Sequence, residues 1–218
     1  MTTEYCQDRD LLGIEPVLYV GSGLPSQILA SGASGQVSGV SFTATGATFE
    51  SAQVAPGMVL SVYSSTPSEG KAYEITAVGS QTLLSISVLR PDADGPAIAP
   101  PSQSNVSYLI RTYSPQIRNI TALLGEKLRR ISETEKVAAA DYADSAQLRL
   151  VAAYGVLADV FVARAENAEA GDANWIKASH YRQLFRQLQL QLRLAVDADG
   201  DGLAEQTRSL ANVLLRRA

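Results

Sequence analysis

Ser132-Glu133-Thr134-Glu135 opens, and Ala170-Gly171-Asp172 divides, the stretch from Ser132 to about Val196 on which the reading of the fold turns. Ser132 can cap a helix while Glu135 reaches back to the cap's own N–H, a capping box. From Lys136 onward the residues favour helix, with many Ala, Leu and Arg and no Pro. Leu150, Tyr154, Leu157 and Phe161 step by four, three and four, and so share one helical face. Gly171 suits the left-handed position after a helix, and Asp172 suits the next N-cap. A second helix then runs from Ala173 through Trp175, Ser179, Leu184, Leu188 and Leu192. A link this short makes the two helices antiparallel neighbours. Leu188 to Leu194 alternates with period two, as a strand would. Helix is the preferred reading through about Leu192, because Gln, Leu and Arg favour it and no turn precedes the run.

Working outward, residues 37–113 change character: Val, Thr, Ser and Tyr rise and charge nearly vanishes. Short runs stand between turn residues at Val37–Ala44, Met58–Tyr63, Lys71–Val78, Thr82–Leu89 and Val106–Tyr113. Ala55-Pro56-Gly57 and Ser68-Glu69-Gly70 mark turns, and Pro91 to Pro101 makes a stiff exposed loop. Some five antiparallel strands predict a small barrel or sandwich. Residues 21–39 have the Gly/Ser composition of a linker or loop. Before them, Asp8 can cap a short helix carrying Leu11, Leu12 and Ile14, which Pro16 discourages from continuing. The chain is thus expected to be α+β: a helical bundle with a long antiparallel hairpin and an inserted small antiparallel β domain. The expected division is 1–30 for an N-terminal helix of the helical domain, 31–114 for the β insert, 115–206 for the helical domain, and 207–218 for a C-terminal docking tail.

The chain has 218 residues, enough for one or two domains with a real core. A net charge of −4 and a pI near 5.1 argue against nucleic-acid binding by bulk electrostatics. The single cysteine, Cys6, excludes an intrachain disulfide. No apolar run approaches the ~18 residues of a membrane span, and the first residues lack a signal peptide's basic and apolar regions. The expectation is a soluble chain folded in a cytoplasm, with no membrane partner.

Catalytic chemistry has little to work with. His180 is the only histidine, so a zinc site lacks its ligands and a Ser-His-Asp triad would have to use His180, for which a packing or surface role is the preferred reading. No nucleophile elbow, phosphate loop or dinucleotide fingerprint is present. The motif with chemical content is Asp197-Ala-Asp199-Gly-Asp201-Gly202-Leu-Ala-Glu205. Carboxylates at alternate positions followed by Gly are how calcium loops wrap a hard cation. Arg208 stands where the bidentate carboxylate of such a loop belongs, so the stretch reads either as a solvated acidic turn or as a weak calcium site using Asp197, Asp199, Asp201 and Glu205. No other cofactor is expected. Arg182, Arg186 and Arg193 are spaced to share a helical face, which is either solvated or a contact stripe for an acidic neighbour or a DNA backbone. Asp141, Asp144 and Asp159 on the preceding helix are candidates for that neighbour face. Leu210, Val213, Leu214 and Leu215 beside Arg216 and Arg217 form an apolar-basic tail suited to docking on a partner.

Two stretches together resemble the head-to-tail connector (adaptor) proteins of tailed bacteriophages. One is Tyr5-Cys-Gln-Asp-Arg-Asp-Leu-Leu-Gly-Ile-Glu-Pro16; the other is His180-Tyr-Arg-Gln-Leu-Phe185 running into Leu194-Ala-Val-Asp-Ala-Asp-Gly-Asp-Gly-Leu-Ala-Glu205-Gln-Thr-Arg208. The resemblance implies a structural virion protein of the neck with no enzymatic activity. It would assemble in the host cytoplasm as a dodecameric homo-oligomer ring beneath the portal protein. It would contact the next neck or tail-terminator protein and line the channel through which DNA passes without sequence-specific binding. The β insert is not part of the pattern of the smallest adaptors. The competing reading is a carbohydrate- or host-surface-binding module of a virion fibre or decoration protein, carried by the low-charge β domain.

Overall fold

The computed structural model describes residues 4–20, 27–63, 70–135, 146–165, 172–196 and 206–209. It is an α+β chain: a six-stranded antiparallel barrel followed by helices. The helices are α1 (Asp8–Ile14), α2 (Val17–Val20), α3 (Ser114–Glu135), α4 (Ala146–Arg164) and α5 (Ala173–Gln191). The barrel strands are β1 (Ile28–Ser38), β2 (Ser41–Ala44), β3 (Val59–Tyr63), β4 (Lys71–Ser80), β5 (Leu83–Ser87) and β6 (Gln103–Arg111). A separate two-stranded sheet joins β7 (Arg193–Val196) to β8 (Gln206–Ser209).

Around the barrel the order is β1-β2-β5-β4-β3-β6, with β6 closing onto β1. β3, β4 and β5 are consecutive hairpin strands, and β6 returns by the Pro-rich loop to lie beside β3, which is a Greek key. Register shifts along the β1–β6 ladder bend these two strands around the barrel, and Asn105 on β6 takes a left-handed φ of 54° at one of them. The inward side chains include Leu60, Val62, Ile75, Leu84, Ile86 and Ile110. At their centre Phe42, Phe49 and Tyr108 meet with ring centroids 5.2 to 6.2 Å apart.

Two expectations about this region are corrected. Residues 28–38, assigned to a Gly/Ser linker, form β1. Its glycines are there for space: a Cβ on Gly32 would lie 2.6 Å from the Tyr108 ring, and one on Gly35 would lie 2.7 Å from Phe42. The run Val37–Ala44 is not one strand, because a turn at Gly39, φ +57°, separates β1 from β2. Six strands therefore stand where some five were expected.

β3 reads Val59-Leu60-Ser61-Val62, and all four residues are buried, which a strand with one wet face would not be. Leu60 and Val62 point into the barrel, while the outer face is covered by α1 and α2. Under that cover lies a network of charged and polar groups. Asp8 Oδ1 accepts from Tyr19 Oη at 2.9 Å and from the Tyr113 amide at 2.8 Å, and Oδ2 accepts from Thr112 Oγ1 at 2.6 Å. Glu74 on β4 sits between Arg9 Nε, 2.8 Å away, and Arg90 Nε. Arg111 Nη1 donates to the Leu18 carbonyl at 3.0 Å. The cap of α1 is Gln7, whose amide donates to Asp10 Oδ2 at 2.8 Å; Asp8, expected as the cap, is instead the first helical residue and is buried.

Contacts group Gln7–Tyr113 as one compact unit and residues 1–6 with 114–218 as another. The N-terminal helix, expected within the helical domain, thus belongs by contact with the barrel. In the second unit, the Tyr5 amide donates to Thr121 Oγ1 at 3.2 Å, and Glu4 pairs with Arg118 at 3.1 Å, which holds the N-terminal residues on α3.

Ser132 to Glu135 does not start a helix. These residues are the last turn of α3, which runs unbroken from Ser114 and takes Pro115 in its first turn, where the missing N–H costs nothing. Ser-x-x-Glu is also ordinary helical sequence, and the expectation mistook composition for a boundary. Residues 136–145 and Gly171 lie outside the described residues. The antiparallel pair itself is present as α4 and α5. Asp172 caps α5 as expected, accepting from the amides of Asn174 at 2.7 Å and Trp175 at 3.0 Å. On α4, Leu157 and Phe161 are buried and Tyr154 is half-buried, while Leu150 is 40% exposed. By length and composition α4 is apolar enough to cross a membrane, which the sequence reading missed; just over half of that window is buried inside the fold.

Candidate partner interface

α5 is seated on α4 by aromatic rings. Tyr181 stacks on Tyr154 and on Phe161, with centroids 5.8 Å away in each case. His180 meets Tyr181 edge-on at 5.4 Å, and Lys177 Nζ lies 5.0 Å above the Phe161 ring. His180 is exposed, and its ring contact is with an aromatic rather than with a nucleophile. At Gly155 on α4 a Cβ would lie 2.9 Å from Phe185 of α5 and 3.0 Å from Ile120 of α3. That glycine lets three helices converge.

The outer surface of α5 is mixed. Ile176 and Leu190 are each 54% exposed, Arg186 is exposed, and Arg182 is half-buried. Ile176, Gln183 and Leu190 are seven apart, so they fall along one line of the helix. Arg182 and Arg186 lie on α5 as expected. Arg193 does not: the helix ends at Gln191, Leu192 caps it in an extended conformation, and Arg193 is the first residue of β7. The expected three-arginine helical stripe is therefore two residues long.

Asp159, assigned to a neighbour's acidic face, has its charge partner within its own chain. Burial raises its carboxyl pKa, and the nearby Arg182 guanidinium opposes that rise. Arg182 is thereby committed in part to α4, which leaves Arg186 as the more available cation of the two.

The sequence reading missed the β7–β8 hairpin. Its register pairs Arg193 with Ser209, Leu194 with Arg208, Ala195 with Thr207 and Val196 with Gln206. The period-two alternation was the available signal, but it was centred four residues too early, on the end of α5. The boundary drawn between 206 and 207 falls inside β8. Asp197, Asp199, Asp201 and Glu205 lie outside the described residues, as do Leu210, Val213, Leu214, Leu215, Arg216, Arg217, Asp141 and Asp144. Among the described residues no three His, Cys, Asp or Glu side chains are grouped as metal ligands. No protein-family model, curated protein or solved structure matches the chain.

Proposed function

We propose that the chain is a structural head-to-tail connector of a tailed phage: a helical domain, with the barrel as its insert, forming a homo-oligomeric ring under the portal. The observation that carries the reading is the surface of α5. It leaves Ile176 and Leu190 half-exposed on one line of the helix, with exposed Arg186 one turn before Leu190, and passes directly into the β7–β8 hairpin. A helix that leaves large apolar residues half-exposed beside a cation suits protein contact better than solvent. Those same elements span His180 to Arg208, one of the two stretches that resemble connectors. The other, Tyr5 to Pro16, is the segment that fastens the barrel's outer face through Asp8 and Arg9. In this reading the acidic 197–205 connection is structural, with at most weak calcium affinity, and mildly acidic channel walls let DNA slide without holding it.

The test is co-sedimentation with portal-filled heads that lack their connector. Wild-type chain should attach. Ile176→Glu with Leu190→Glu should abolish attachment while keeping the helical circular dichroism signal. Arg186→Glu should weaken it. Deletion of 210–218, which spares β8, should also weaken it through loss of the tail. Attachment equal to wild type in all of these would refute the reading. Binding of the 7–113 unit to a glycan array, with no attachment to heads, would favour a host-surface module instead.

A further inference from the structure

We draw no further inference here: the strongest candidate, the loop after β5 that Arg90 pins to Glu74 and on which Val88, Asp92, Asp94 and Ile98 are exposed, is an apolar and acidic surface patch with nothing in the structure to show what covers it.

Discussion

Asp8 and Glu74 show how a short polar motif can hold a fold. Both are almost wholly buried; Asp8 is hydrogen-bonded and Glu74 is ion-paired to groups distant in sequence. A buried carboxylate without such partners would cost several kcal/mol. Asp8→Ala strands the Tyr19 hydroxyl, the Thr112 hydroxyl and the Tyr113 amide together. The expected loss is about 3 kcal/mol, read as a fall in urea midpoint at constant slope. Glu74→Ala leaves Arg9 and Arg90 facing each other without a counter-charge and should cost about 3–5 kcal/mol. A loss below ~1 kcal/mol in both would mean that the network is incidental. None of this was legible in the sequence. Asp8 read there only as a helix cap, and Arg9, Glu74 and Arg111 carried no signal, because burial of a charge depends on partners that only the tertiary fold brings together. At Asp159, which is exposed to solvent, partial desolvation raises the folded pKa and Arg182 opposes the rise, so any stability it adds is small, present below the ordinary carboxyl pKa and lost as pH rises through the raised one. Removing the opposing cation with Arg182→Ala should move the Asp159 carboxyl titration further up in NMR. An unchanged or lower value would mean that the two groups do not interact.

Among the elements, helices and strands were legible in different degrees. The strands β3, β4, β5 and β6 were predicted within a few residues, because each is a short run of β-forming residues set between turn residues. β1 was missed because its glycines look like a linker until Tyr108 and Phe42 are seen to need the room. The Gly32→Val variant should therefore cost about 1–3 kcal/mol by overpacking, although valine is the better strand former. A stabilised variant would show that β1 has room to spare. Gly155→Val drives a side chain between Phe185 and Ile120 and should destabilise the helical unit by a similar ~1–3 kcal/mol, seen in the thermal midpoint of its far-ultraviolet signal. The α5 N-cap was legible since Asp172 acts locally. The end of α5 was legible too, but the strand beyond it was not, because β7 depends on β8 across the 197–205 connection.

At the scale of the whole chain, composition marked out the barrel but misplaced its margin. The fall in charge begins near residue 37, whereas the compact unit begins at Gln7, because the short helices α1 and α2 are its cover. Asp8 binds Thr112 and Tyr113, so one side chain ties the two ends of this unit together. A fragment spanning 7–113 should therefore unfold cooperatively on its own, and Asp8→Ala should weaken the fragment as it weakens the full chain. A fragment without cooperative unfolding would place the unit's stability elsewhere. The central claim, a ring-forming connector, is tested most directly by native mass spectrometry of the full chain mixed with isolated portal rings. The account predicts one dominant complex holding a fixed multiple of the chain per portal ring. Free portal beside monomeric chain at every mixing ratio would contradict it.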